Sequence, residues 1–497
     1  MASSALEREE RQAQDAAANR PSVNTFDVFD TLIARRCIEP SRIFEMVAHE
    51  AKIENFVAAR IAAEQAVAGE PYDLDAIYAA LMTLLNLDSA KAAELKTLEL
   101  AYERENVVPV AENMACVGDG DLLLSDMYLG GDVIRSLLEA AGFTKKVALI
   151  VTSNGKQSGR LWPLILDKFS IKEHCGDNPH SDVSMPARFG IACRQTSVTS
   201  PNYVERTLLD VGLRDLAMVC RQARLATWNA DPDTHALQLI QASLNFPILV
   251  LASIALARLI KRQKFSALLF CSRDCNLWLA LFRVLARDLG LDCQADYFYT
   301  SRLTRTKPSA DYLAYAREEI KDGCALVDIC GTGWSLAHLC QNLGVSDQSL
   351  VFLHRLPSVS LYEQRAPTPP TCTIHALLDG AGDACNHVAL EMSNYAEHGM
   401  VLDMRRIGNT FVPVFSADQR PAHIRSMIAA QQSCFLQAVS IVGKHGLNET
   451  LALDDASLNL LCTALYQGLS NQSQLQIAYG VQHHAEDIAT LQQLGCI

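Results

Sequence analysis

Asp27-Val28-Phe29-Asp30-Thr31-Leu32 follows an apolar run, Val23–Asp27, of the length and composition of a buried strand, so Asp27 stands at a strand's carboxyl end. A carboxylate there can act as a nucleophile or hold a metal, and the turn after it exposes backbone N–H groups to an anion. On its own such an Asp reads as a turn cap. Leu122–Ser125 is a second strand, and the Ser125 hydroxyl can donate to a phosphoryl oxygen; the plain reading is a serine opening a turn. Thr152-Ser153-Asn154-Gly155-Lys156 follows a third strand, Val147–Val151. Lys156 can neutralise a nucleophile and a bound phosphate together, although most lysines are simply solvated. Cys175-Gly176-Asp177-Asn178-Pro179-His180-Ser181-Asp182 closes the series after a short strand at His174–Gly176. Asp177 and Asp182 can hold Mg²⁺ directly and through water, the oxygen coordination this ion prefers, or they belong to an ordinary Asp- and Asn-rich turn. Each segment is weak alone; the order, each set after its own strand, is not.

The elements that position these residues alternate strand and helix, with helices expected at Asp132–Ala141 and Gly159–Lys168. That pattern implies an α/β fold with a parallel sheet whose ligands lie at the carboxyl ends of the strands. A helical insert, residues 34–118, interrupts it, with periodic segments at Arg42–Ala51, Phe56–Ala68, Leu74–Leu85 and Ala90–Glu105. It reads as a lid over the active face or as a separate bundle. The expected layout has a leader over 1–20, a first α/β domain over 21–198 and a helical linker over 199–240. A second α/β domain over 241–415 and a helical region over 416–497 complete it.

The first domain resembles the haloacid dehalogenase-like hydrolase superfamily over roughly residues 20–195, with a Rossmann-like core and the insert in the place of a cap domain. The resemblance implies that Asp27 forms an aspartyl-phosphate, that Ser125, Thr31 and Asn154 contact the substrate and that Lys156 balances charge. It implies Mg²⁺ as cofactor, held by Asp27, the backbone carbonyl of Phe29, Asp177 and Asp182. Ser-Asp-Met-Tyr-Leu and Gly-Asp-Asn-Pro-His-Ser-Asp look like a bacterial subgroup often associated with surface-polysaccharide loci. One departure matters. Phosphatases of this kind place a second Asp two residues after the nucleophile, where this chain has Phe29, as dehalogenases do, and the next acid is Asp30. A dehalogenase would have no use for the acidic pair after Gly176, so the retained Asp177 and Asp182 favour phosphoryl transfer. The missing acid removes help of about 10²–10⁴-fold, which Asp30, a cap carboxylate or water must supply.

In the second α/β series, strands are expected at Ala267–Cys271, Asp296–Thr300, Ala325–Ile329, Leu350–His354 and Thr373–Leu378. Arg273 and Asp274 follow the first and Arg302 and Arg305 the second. Asp328 precedes Gly331, Thr332, Gly333 and Ser335 in a loop opening a helix. A carboxylate, glycines and hydroxyls at a helix start suit a phosphate, and the arginines suit bidentate anion contacts. The loop weakly resembles that of type I phosphoribosyltransferases, but Ile329 replaces the second acid and the loop is one residue shorter. The bland reading is a Gly-rich turn with arginines on a solvated rim. His387, Glu391, Glu397 and His398 lie near helix-like spacing and could form a further polar site, as could His483-His484, although the plainer reading is solvated polar residues; Ala366–Pro370 reads as a plain loop.

Composition sets the limits. The chain has 497 residues, 49% hydrophobic and 20% charged, which suits about three globular domains and excludes collagenous and wholly disordered classes. With 43 basic against 56 acidic residues, a net charge of −13 disfavours nucleic acid and anionic membranes. The longest apolar run, Phe246–Ala257, is shorter than the roughly 20 residues that span a bilayer. The 16 cysteines form no metal-like spacing and suit a reducing, cytoplasmic setting. The leading expectation is a Mg²⁺-dependent phosphohydrolase acting on a small phosphorylated metabolite, a sugar phosphate or nucleotide. Its rivals are a bifunctional enzyme whose second domain transfers a glycosyl or phosphoribosyl group, and a non-catalytic phospho-ligand sensor or scaffold.

Overall fold

A computed structural model describes residues 20–69, 71–356, 372–378 and 385–495; the expected leader (Arg20 apart) and the Ala366–Pro370 loop lie outside them. The chain is an α/β protein that divides into two compact units. The first comprises residues 1–201 and 225–228, the second residues 202–224 and 229–497.

Short apolar strands build the first unit's sheet. They are β1 (Ser22–Phe26), β4 (Leu122–Asp126), β5 (Ala148–Thr152), β6 (Ser170–Gly176) and β7 (Cys193–Gln195), while β2 (Ile33–Arg35) and β3 (Val107–Pro109) form a separate ribbon. The sheet order is β5-β4-β1-β6-β7, parallel throughout. The chain therefore winds from β1 toward one edge and returns to β6 on the other side. That reversal opens a crevice at the carboxyl ends of β1 and β6. Val23, Leu122 and Leu124 on one face bury against Leu161, Trp162 and Ile165. β6 extends well N-terminal of the expected His174–Gly176, because its first half alternates exposed and half-buried residues and carries no apolar run.

Between β2 and β3 lie four helices, α1 (Ser41–Ala51), α2 (Phe56–Val67), α3 (Leu74–Leu85) and α4 (Ser89–Asn106). Asp73 and Asp88 cap α3 and α4, each accepting from a first-turn N–H. The antiparallel ribbon of β2 and β3 closes the base of this insert. A buried polar node ties the helices together. Arg60 of α2, wholly buried, donates to both oxygens of Glu99 on α4, at 3.0 and 2.8 Å, and Tyr78 of α3 donates to the same carboxylate at 2.8 Å. Arg35 of β2 makes a two-pronged pair with Glu103 at the ribbon. One-sided loss of such pairs is strongly destabilising, because the remaining charge has no solvent to meet.

The second unit has a second parallel five-stranded sheet, of β8 (Ala267–Cys271), β9 (Gln294–Phe298), β10 (Cys324–Gly331), β11 (Gln348–Arg355) and β12 (Cys372–Ala376), in the order β12-β11-β10-β8-β9. Here the reversal falls between β8 and β10. Alternate residues face opposite sides: Leu268 and Phe270 join one core, Leu269 and Cys271 the other. A hairpin of β13 (Val401–Ile407) and β14 (Thr410–Phe415) sends Val401 and Met404 into the second core.

Most of the expected linker, residues 202–224 and 229–240, belongs to the second unit and packs with the helical region after 416. Val204, Leu208, Leu216 and Leu237 from the first stretch share one core with Phe435, Val442, Leu465 and Tyr479 from the second. Every sheet face needs covering, and helices from both ends of the unit cover this one. Phe246–Ala257 also belongs to a longer helical stretch, Pro232–Gln263, which is long and apolar enough to cross a membrane; 89% of its apolar window is buried inside the unit.

Candidate functional site

At the crevice of the first unit the four predicted segments converge. Asp27 follows β1, and its backbone N–H donates to the Cys175 carbonyl on β6 at 2.8 Å, fixing its place between the two strands. Lys156, 2% exposed, points its Nζ between Asp27 Oδ1 and Asp182 Oδ1, the latter at 2.7 Å, with the Leu124 carbonyl at 3.4 Å. Asp27, Asp177 and Asp182 each offer an oxygen, and these atoms lie within 4.8 Å of one another. Three carboxylate oxygens that close match the donor set of a hard divalent cation.

Thr31 donates to Asp27 Oδ2 at 3.2 Å. Asp30 takes a left-handed φ of 55° in the same turn, its N–H reaching the Ile33 carbonyl at 2.7 Å and its own carbonyl accepting from Thr199. Phe29 is half-buried, with its ring against the Arg35 guanidinium at 4.7 Å. Ser125 is buried at the carboxyl end of β4, paired in register with Val151. Asn154 lines a cleft of about 620 Å³ with Tyr72, Tyr128, Thr152 and Arg160, a cleft whose wall does not include Asp27.

The charges are strongly coupled. Burial pushes the Asp27 carboxyl up, to about 7; Lys156 opposes this and Asp182 adds to it. Burial also lifts Asp177, to about 6, with Asp30 and Asp182 contributing repulsion. Asp182 goes the other way: the His174 hydrogen bond and the Lys156 ammonium outweigh its burial and hold it at about 2. Burial disfavours the Lys156 ammonium, but the two aspartates prevail and raise it.

Sequence reasoning missed the residues that hold this set in place. Asp126, next to Ser125, accepts from the backbone N–H groups of Gly155, Lys156 and Gln157 at 3.1, 3.1 and 2.8 Å and from the Thr152 hydroxyl. It is the post around which the lysine loop turns. His174, wholly buried, bridges Thr25 Oγ1 at 2.8 Å and Asp182 Oδ1 at 3.2 Å, fixing the carboxylate that holds Lys156. Gly176 is needed for close approach, since a Cβ there would lie 2.3 Å from the Asp182 side chain. The adjacency of Asp126 to Ser125 was the only available signal.

The second unit's crevice gathers Arg273, Asp274, Arg302, Arg305 and Asp328 around a polar cavity of about 150 Å³. Arg305 reaches Asp328 at 3.0 Å and Thr300 at 3.1 Å, and Arg273 pairs with Glu486 at 2.7 Å. The Ser272–Arg273 peptide is cis. Gly331, Thr332, Gly333 and Ser335, read from the sequence as a candidate anion loop, do not line this cavity. The glycines serve packing: a Cβ on Gly331 would sit 2.9 Å from Phe352, and one on Gly333 2.7 Å from Ile374, where φ is +88°. The Thr332 hydroxyl accepts from the Trp334 N–H at 3.2 Å, inside the loop. Instead, Glu391 and His483 join the wall from distant helices and Tyr395 from the segment just after the first of them. His483 meets the Tyr395 hydroxyl at 2.8 Å and Glu391 at 3.4 Å, so two residues for which a solvated surface was the plainer reading sit at the cavity. His398 bonds Tyr297 at 2.9 Å, outside it. No protein-family model matches this chain, and no curated protein matches its sequence.

Proposed function

We propose that the first unit is a Mg²⁺-dependent phosphohydrolase of the haloacid dehalogenase-like kind, acting on a small phosphorylated metabolite such as a sugar phosphate or nucleotide. The observation that supports it most is Lys156 held between Asp27 and Asp182, with Asp177 completing three oxygens at the strand reversal. Asp27 and Asp177 would hold the ion directly. Asp182 would act through water, since Lys156, His174 and the Asn178 N–H already occupy its oxygens. When bound, Mg²⁺ supplies charge neutralisation on the phosphoryl oxygens.

The rest is the work of the chain. Lys156 and Ser125 orient the phosphoryl group, and Thr31 positions the Asp27 carboxylate. An Asp27 oxygen attacks phosphorus in line; the bond from phosphorus to the substrate oxygen breaks, and that oxygen takes a proton from Asp30 or water. Water then adds to the phosphorus of the aspartyl-phosphate, phosphate leaves, and Asp27 is restored. The helical insert acts as a cap that limits solvent and selects the substrate. With Phe29 in place of the usual acid, turnover is slow or specialised. The test is phosphate release from a panel of sugar phosphates and nucleotides with Mg²⁺, beside Asp27→Asn. Full activity in that variant rejects the mechanism.

The Phe29 ring packed on Arg35 favours a second reading, a phospho-ligand sensor without turnover. Tight Mg²⁺-dependent binding with no phosphate release from any substrate of the panel would select it.

A further inference from the structure

We propose that the crevice between β8 and β10 is a second ligand site, independent of the first, for a small sugar phosphate whose anionic group meets Arg302 and whose hydroxyl donates to Asp274. The place follows from topology: in an open parallel sheet ligands enter where the strand order reverses, which in this sheet is between β8 and β10. Asp274 comes from the loop after β8 and Asp328 from β10 itself, while Arg302 and Arg305 follow β9.

The chemistry follows from which side chains are already satisfied. Arg305 is committed to Asp328 and Thr300, and Arg273 to Glu486. Two groups at the cavity are not committed. Among the described residues Arg302 makes no ion pair or side-chain hydrogen bond, and the Asp274 carboxyl accepts none. A ligand that satisfies both carries an anionic group for the guanidinium and a hydrogen-bond donor for the carboxyl.

The donor is better a hydroxyl than an ammonium. Burial, then Asp328 and Glu486 against Arg273 and Arg305, pushes the Asp274 carboxyl up to about 7, so it is not a dependable counter-ion. A neutral donor is served by either state, because the protonated carboxyl keeps acceptor capacity. Tyr395 adds an aromatic surface to the wall. Room beyond the small polar chamber exists too, since a cavity of about 310 Å³ shares Arg273, Met400 and Thr490 with it.

The test is calorimetric titration of the full chain with ribose 5-phosphate and fructose 6-phosphate, in EDTA and in an Asp27→Asn background, so that the first site does not contribute. Saturable binding of either probe is expected, weakened about tenfold or more by Arg302→Gln and by Asp274→Asn. Arg302 is exposed, so its variant leaves the core intact, and thermal melting checks this. No saturable heat with either probe overturns the proposal. So does binding indifferent to Arg302→Gln, or inorganic phosphate alone binding as tightly, which would mean that the sugar hydroxyl contributes nothing.

Discussion

The two crevices have the same origin and opposite chemistry. Each opens where a parallel sheet reverses its winding, between β1 and β6 in one unit and between β8 and β10 in the other. At the first, Asp27 and Asp182 hold the Lys156 ammonium, Asp177 lies beside them, and Asp30 adds its repulsion to Asp177. At the second, three guanidiniums are interleaved with Asp274, Asp328, Glu391 and Glu486. The first balance favours a cation; at the second four carboxyls face three guanidiniums, and the proposed ligand follows from the two groups left uncommitted there, Arg302 and Asp274. Topology decides where a crevice opens; the few residues after each strand decide what enters it.

The comparison breaks most sharply at Asp27. Asp27→Asn should reduce phosphate release by about 10³-fold or more, the effect of losing a nucleophile, while leaving ribose 5-phosphate binding at the second crevice intact. Loss of both functions in this one variant would mean that the crevices are not independent.

Mg²⁺ should separate them next. Metal at about a hundred times its dissociation constant should stabilise the chain by about 2.7 kcal/mol, seen as a higher melting temperature. Asp177→Asn should abolish this shift and Asp274→Asn should not. An unchanged shift in Asp177→Asn would place the cation elsewhere. Asp177 is the better probe because it is half-buried, whereas removing the buried Asp182 would take a partner from both Lys156 and His174.

A smaller effect is expected at Asp126, which tests the scaffold of the first crevice and not its chemistry. Asp126→Ala frees three backbone N–H groups of the lysine loop and should lower kcat about tenfold to a hundredfold while the chain stays folded. Unchanged kcat would show that Lys156 needs no support from below.

How far the sequence reveals all this differs between the crevices for a physical reason. Asp27 and Asp177 stand directly after strands, with Lys156 and Asp182 a few residues further along the same loops, and a strand's end is visible in one dimension as an apolar run that stops. Asp126 acts on a loop 26 to 31 residues further along, and His174 ties Asp182 to Thr25, 149 residues back, contacts made only after the sheet assembles. In the second unit the local pattern misleads. Gly331 and Gly333 have the spacing of an anion loop, yet what they accommodate is Phe352 and Ile374 on β11 and β12. The residues that complete that cavity, Glu391 and His483, arrive from helices no strand pattern announces. The same holds for residues 202–240 and 422–494, whose apolar stripes read as linker and tail until a sheet face is there to cover.

The finest comparison is between two carboxyls lifted by burial to about 7, Asp27 and Asp274. Asp27 touches an ammonium; Asp274 accepts no hydrogen bond among the described residues, and its field comes from Arg273 and Arg305 against Asp328 and Glu486. A carboxyl with a raised native pKa binds its proton more tightly folded than unfolded. Its contribution to stability is therefore present below the unfolded value and is lost as pH rises through the native one, here between about 4 and about 7. Asparagine cannot ionise, so Asp274→Asn should come closest to the wild type below about pH 4 and gain on it by of order 1 kcal/mol by about pH 8, read as the difference in melting temperature. A gap that is constant with pH would show that Asp274 is ionised throughout. The raised carboxyl is then not a feature the crevices share, and an ammonium-bearing ligand becomes the better fit to the second.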